Sequence, residues 1–328
     1  MGDINYFSGA DRFSVAPMID VTDSTFRRMA RALCKECMLY TEMIAADALY
    51  HGRDFLIDYK DEELPCTLQL GGSDPKKLAV AAKMGFERGY SAINLNAGCP
   101  SDKVQSGNFG AVLMKTPEVI ASCFKAMQES VSIPVTVKTR IGVDDEDSFE
   151  FTCRLIDTIY EAGCRHLIVH ARKAWLNGLS PKENRSIPPL DYGRVYAMKQ
   201  RHSDLRITIN GGILTLDECQ EHLKYVDGVM LGRAIIDNPY LLCSVDSTLY
   251  GHKDEIKSRE QVLYEMADMA DALVSEGIAL HHFARHLLGL FNGINGARAY
   301  RRYLSEHITK KGADGNVLRE AFLKINNV

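Results

Sequence analysis

The chain has 328 residues, 46% of them hydrophobic and 25% charged, a globular composition with ample apolar material for a large core. Its 39 basic and 43 acidic side chains leave a formal charge of −4, which excludes a generally cationic nucleic-acid binder and obliges any such partner to find a local basic patch. Nine cysteines without regular spacing argue against a secreted disulfide framework and for a reducing, cytoplasmic setting, and no run nears the roughly 18 apolar residues that a membrane span needs.

The start, MGDINYFSGADRF, has neither the basic nor the apolar part of a signal peptide. Tyr6 stands where a myristoylation motif wants Ser or Thr, so no lipid anchor is expected. Eight short β-rich runs then follow in order: SVAPM, MLYTEM, CTLQLGG, AINLNAGCP, VTVKTR, HLIVHAR, ITINGG and GVMLGR. They end at Met18, Met43, Gly72, Pro100, Arg140, Arg172, Gly212 and Arg233, 21 to 40 residues apart, about one βα unit each. The runs read as nearly continuous in apolar residues, as parallel strands covered on both faces do. Between them, GGSDPKKLAVAAKMGFERG carries helix signals. Asp74 can cap and Pro75 can take the first helical position, with Leu78, Ala81, Ala82, Gly85 and Phe86 forming one apolar face.

Eight consecutive units predict an α/β fold, a closed (β/α)8 TIM barrel ending near residue 250, with a doubly wound sheet as the alternative. The carboxyl ends of the runs decide between them. Gln69, Asn96, Cys99, Lys138, His170, Asn210 and Arg233 sit there, and a barrel gathers all such ends on one face. Beyond GHKDEIKSRE the sequence has helical periodicity and no β-rich run, so the expected division is a barrel over 1–250 and a small helical domain over 251–328. Between residues 281 and 311, Arg285, Arg298, Arg301, Arg302, Lys310 and Lys311 face only Glu306. This is either a solvated helix face or the basic patch that a nucleic acid would require.

In LNAGCPS, Gly98 permits a tight turn and Pro100 holds its predecessor extended, so the Cys99 thiol is given a defined direction; the alternative is a buried structural cysteine. Asn96, three residues earlier, brings an amide suited to the polar edge of a ring. Asn210, Gly211 and Gly212, with Gly232 and Arg233, occupy the loops after the seventh and eighth strands, where barrels of this kind hold phosphate. Lys138 lies within a strand suited to burial and needs an anionic partner: the N1–C2=O edge of a reduced flavin, a substrate carbonyl captured as a Schiff base, or a salt bridge to Glu42. His170 reads as a donor to a flavin or phosphate oxygen, or as a satisfied core histidine. Gln69 reads as an amide for a uracil-like flavin edge, or as a structural hydrogen bonder.

Cys34 and Cys37 form a C-x-x-C in a helix-like segment, but no second pair stands at zinc spacing, so they read as packing residues. The acidic run Asp144 to Asp147 reads as helix capping. No metal is expected, and without a G-x-G-x-x-G no separate nicotinamide-dinucleotide domain is expected either.

Taken together, APMIDVTD, LYTEM, LQLGGSDP, INLNAGCPS, VTVKTRIG, IVHARKAWLNGLSPKENR, INGG and MLGR resemble the tRNA-dihydrouridine synthases over nearly the whole chain. HARKAWLNGLSPKENR and GARAYRRYLSE are similar to the DusA-type branch, which acts at uridines 20 and 20a of the tRNA D-loop. Val21 stands where that branch usually has tryptophan. The resemblance implies an FMN-containing barrel, with the flavin held by Ala16, Pro17, Met18, Gln69, Lys138 and His170, and its phosphate by Asn210, Gly211, Gly212, Gly232 and Arg233. It further implies that hydride passes from flavin N5 to C6 of uridine, that Cys99 protonates C5, and that NADPH restores the flavin. A free thiol titrates near 8.5 and so carries a proton to give at neutral pH. An extruded uridine would meet Asn96, while Lys182, Arg185, Arg298 and Arg301, joined by Arg302, would grip the tRNA. A monomer is expected. The competing readings are a flavin barrel acting on a free pyrimidine, a Schiff-base aldolase using Lys138, and a non-catalytic tRNA-binding protein.

Overall fold

The computed structural model describes residues 9–325; the expectation at Tyr6 lies outside the described residues. All eight runs become strands: β1 (Phe13–Val15), β2 (Leu39–Ala45), β3 (Cys66–Gly71), β4 (Ala92–Asn96), β5 (Val135–Arg140), β6 (His166–His170), β7 (Arg206–Asn210) and β8 (Gly228–Leu231). They pair in parallel in the order β1-β8-β7-β6-β5-β4-β3-β2. A parallel bridge between Ser14 and Met38 brings the ends of the sheet together. There the Val15 N–H donates to the Met38 carbonyl and the Met38 N–H to that of Phe13, each at 3.0 Å. The result is the (β/α)8 TIM barrel, not an open doubly wound sheet.

The continuous apolar run expected holds in β6, with Leu167, Ile168 and Val169, and in β8, with Val229, Met230 and Leu231, but not in every strand. In β3, β4 and β5, Leu68, Leu70, Ile93, Leu95, Val135 and Val137 alternate with Thr67, Gln69, Asn94, Asn96, Thr136 and Lys138. A closed barrel has two buried sides, so period-2 alternation here separates an outer apolar layer under the helices from an inner polar one. Helix Pro75–Glu87 shows how close the outer layer is: a Cβ on Gly85 would lie 2.6 Å from Leu68 and 2.8 Å from Ile93. Asp74 caps this helix by accepting from the Lys76 and Lys77 N–H groups, with Pro75 in its first turn. Leu78, Ala81 and Ala82 are buried as expected. Phe86 is 39% exposed, because it sits about 80° around the helix from Leu78.

Two further expectations are corrected. Cys34 and Cys37 follow helix Ser24–Leu33 instead of lying in it; both are buried, and the Cys34 thiol donates to Asp246 at 3.0 Å. Helix Phe149–Glu161 is capped by Ser148, not by the acidic run. Asp144 instead pairs with Lys115 at 2.7 Å and accepts from the Leu176 N–H, while Asp147 pairs with Lys173 at 2.8 Å. These carboxylates tie loops together.

The C-terminal part contains helices Arg259–Ser275, Leu280–Ala284, Ala297–His307 and Asn316–Leu323. It is seated on the start of helix Ser24–Leu33. Arg285 donates to Asp23 at 2.6 Å, and Arg28 pairs with Glu276 at 3.2 Å. Arg285 is therefore turned toward the barrel and drops out of the basic patch. Among the described residues, no helix is long and apolar enough to cross a membrane.

Candidate active site

The carboxyl ends of the strands open into a cavity of about 1060 Å³. Its wall is assembled from successive βα units: Ala16, Pro17 and Met18 after β1, Gln69 in β3, Asn96 and Cys99 at the end of β4, Lys138 in β5 and His170 in β6. Arg185 from the next loop, Asn210, Gly211 and Gly212 after β7, and Gly232 and Arg233 after β8 complete it. Lys182 is exposed outside the cavity, on the SPKENR loop. Arg298, Arg301 and Arg302 are exposed on helix Ala297–His307, whose Ala297, Tyr300 and Leu304 face inward. The structure thus gathers the cofactor-type residues and leaves most of the basic candidates outside.

The turn carrying Cys99 is pinned from several sides. The Asn96 side-chain oxygen accepts from the Gly98 N–H at 3.1 Å and the Cys99 N–H at 3.0 Å, so that oxygen serves the turn. The Cys99 carbonyl accepts from the Ala111 N–H at 2.9 Å. Gly110 permits this approach, since a Cβ there would lie 2.6 Å from the Cys99 oxygen. Arg140 donates through Nε to the Gly98 carbonyl at 2.8 Å and through Nη1 to that of Asn184 at 3.1 Å. Arg140 was not singled out as functional from sequence, nor was Arg172, although both line the cavity. The signal was available for Arg140: two residues beyond Lys138 on a strand, it must share the inward side.

Lys138 donates to the Asn210 side-chain oxygen at 3.1 Å. The salt bridge to Glu42, one of the three alternatives, is not formed; Glu42 accepts the Asp20 N–H instead. Burial, with help from the neighbouring Arg140, brings the Lys138 ammonium down to about 7. The same burial brings Arg140 down to about 10 and holds His170 neutral, well below the ordinary imidazole value. Burial also lowers Arg172 and Arg185, and the charge of Arg233 adds to the effect on both. Among the described residues, none of Lys138, Arg140, Arg172, Arg185 and Arg233 is ion-paired to a carboxylate.

That cationic wall fits an anionic ligand. Gly211 has φ +114° and Gly212 φ +75°; a Cβ on the first would strike the His170 ring at 2.5 Å, and one on the second Leu190 at 2.6 Å. Tyr192 donates to the Gly211 carbonyl at 2.7 Å, fixing the loop. Beside it the Arg172 Nε is buried with no partner among the described residues, an orphan donor that an anion would satisfy. A bare backbone cradle beside unpaired guanidinium groups suits a phosphate. The Gln69 amide with Lys138 suits the carbonyl-rich edge of a flavin, and the Asn96 amide suits the polar edge of a substrate ring beside it. The residues present therefore fit FMN.

Fold and site together define an enzyme of the (β/α)8-barrel class, with its chemistry at the carboxyl face of the strands. Residues 14–327 match the family model described as dihydrouridine synthase (Dus). The chain is 52% identical over 324 residues to the tRNA-dihydrouridine(20/20a) synthase of Shewanella oneidensis, covering 98% of this chain and 97% of that one. It is 52% identical over 315 residues to the protein of the same name from Vibrio vulnificus (96% and 97%), and 53% identical over 311 residues to that of Escherichia coli strain K12 (94% and 90%). The chain belongs to the dihydrouridine synthase family of oxidoreductases.

Proposed function

We propose that the protein reduces the C5–C6 double bond of uridine to 5,6-dihydrouridine in the D-loop of tRNA, at positions 20 and 20a, using bound FMN with NADPH as reductant. The observation that carries this reading is the Cys99 turn, pinned on the rim of a cavity whose other wall is a phosphate-type cradle of glycines and unpaired cations. When bound, FMN supplies the hydride that adds to C6 of uridine, and NADPH restores it.

The chain's own residues do the rest. Ala16, Pro17, Met18, Gln69, Lys138 and His170 hold the ring system, and Asn210, Gly211, Gly212, Gly232 and Arg233 hold the phosphate. Cys99 holds a proton on its thiol and delivers it to C5 as negative charge develops there. Asn96 fixes the direction of that thiol through the turn and offers its remaining amide N–H to the base. The base must leave the RNA stack to reach this depth. Lys182, Arg298 and Arg301 are the exposed cations assigned to the RNA backbone, with Arg302 beside them; Arg185, on the cavity wall, meets the nucleotide near the reacting base.

Among the described residues, those up to 250 are assigned to the catalytic barrel and those from 251 to a helical tRNA-binding domain. The protein works as a metal-free monomer in the cytoplasm. The test is direct. Purified protein should be yellow or take up FMN, should oxidise NADPH, and should convert tRNA uridine to dihydrouridine while leaving free uracil and dihydroorotate unturned. A folded, colourless preparation that takes up no FMN would refute the reading.

A further inference from the structure

We propose that Asn94 and Thr136, sealed inside the barrel below the cavity, are positioning residues that fix the amides of Gln69 and Asn96 at the active site. The inference rests on the flavin reading above.

The two residues belong to one hydrogen-bonded ladder across β3, β4 and β5. Asn96 Nδ2 donates to Gln69 Oε1 at 2.9 Å, Gln69 Nε2 to Asn94 Oδ1 at 2.8 Å, and Asn94 Nδ2 to Thr136 Oγ1 at 2.8 Å. The strand register explains the contacts, because Gln69 is paired with Asn94 and Asn94 with Thr136. Asn94 and Thr136 are buried and do not line the cavity, whereas Gln69 and Asn96 do.

The polarity of the ladder is not free. At its upper end the backbone N–H groups of Gly98 and Cys99 can only donate, so Asn96 must turn its oxygen to them and its nitrogen to Gln69. Gln69 must then accept with its oxygen and donate with its nitrogen, and Asn94 must do the same. At the lower end Thr136 accepts and passes its own proton to the Ile93 carbonyl at 3.3 Å, a group that can only accept. Backbone groups of fixed character close both ends. Each amide nitrogen has two N–H donors and spends one inside the ladder. The second is left over on residues that line the cavity, so the ladder makes this part of the wall donate, as a ring edge of carbonyl oxygens requires.

Removing the lower rungs frees Gln69 to swing its nitrogen inward or present its oxygen instead. The experiment is a titration of FMN into apoprotein, followed by quenching of flavin fluorescence, for the parent, Asn94→Leu, Thr136→Val and Thr136→Ser. Thr136→Val keeps shape and volume, which guards against Asn94→Leu failing to fold. Loss of one buried rung should weaken FMN binding about tenfold in Asn94→Leu and Thr136→Val and shift the bound flavin's absorbance bands, while Thr136→Ser stays within about twofold of the parent. Parental affinity in Thr136→Val would overturn the proposal, and so would a lowered melting temperature with unchanged affinity and spectrum. A parent that takes up no FMN would sink the functional reading and this role with it.

Discussion

Replacing Lys138 by Met removes a buried ammonium and leaves a side chain of similar length. Burial, with the nearby Arg140 charge, brings this group down to about 7 from the ordinary lysine value of 10.5. Because the folded pKa is the lower one, the unfolded chain binds more protons between those two values, and stability of the parent rises with pH across that window. The cost of burying the charge is therefore largely present at about pH 7 and below and fades toward 10.5. Linkage over this shift gives up to roughly 2–3 kcal/mol more penalty at pH 6.5 than at pH 9, a ceiling because one side of the residue faces cavity water. The substitution also strands the Asn210 oxygen, but that cost, about 1 kcal/mol, is the same at both pH values and cancels in the comparison. Urea denaturation of apoprotein at pH 6.5 and pH 9 measures the difference. Relative to the parent, Lys138→Met should gain stability at pH 6.5 and lose most of that gain at pH 9. A gap between variant and parent that does not change with pH would show that this lysine carries no buried charge, and the electrostatic account of the cavity would fail.

Three other outcomes are expected. Cys99→Ala should keep FMN binding and NADPH-driven flavin reduction while slowing dihydrouridine formation about 10²- to 10⁴-fold, the usual worth of a positioned general acid, as read by single-turnover assay on tRNA; equal turnover would remove the acid role. Gly211→Val, whose Cβ would press on the His170 ring at 2.5 Å from a left-handed backbone, should weaken FMN binding by about tenfold or more in an apoprotein titration. Arg298→Glu combined with Arg301→Glu should raise KM for tRNA and flatten its dependence on salt, with NADPH oxidation in the absence of tRNA unchanged; an unaltered salt slope would place the RNA elsewhere.

The barrel was legible because each βα unit punctuates itself, and the strand ends fell where turn glycines and prolines interrupt the apolar runs. That placement led to Gln69, Asn96, Cys99, Lys138, His170, Asn210 and Arg233, whereas Ala16, Pro17 and Met18 came only with the family resemblance. What escaped was the inner layer. Asn94, Thr136 and Arg140 look like ordinary strand residues until closure shows that the side opposite the helices is also buried, so that a polar side chain there must find a partner inside. Of the partners weighed for Lys138, the Glu42 carboxylate is engaged by the loop after β1, and the ammonium rests on the Asn210 amide. Arg285 was read as part of a surface patch and is spent on Asp23, since composition counts charges without showing which way they point. The acidic run from Asp144 misled for the same reason: loop ion pairs across tens of residues leave no local signature.

These misplacements share a consequence for how the site works. Had Lys138 and Arg140 been neutralised by internal carboxylates, the cavity would be electrically satisfied and a phosphate would have to displace an ion pair to enter. Instead they and Arg172, Arg185 and Arg233 are held by backbone carbonyls and one amide, which satisfy the donors but not the charge. The protein thus sacrifices stability to keep an uncompensated positive field in the cavity, and an anionic ligand would return it on binding. Ligand and fold are then thermodynamically linked: FMN should raise the melting temperature of the parent more than that of Lys138→Met, because the variant has already shed part of the repulsion that the ligand relieves. Equal shifts in the two proteins would mean that the cations are held for shape and not for their field.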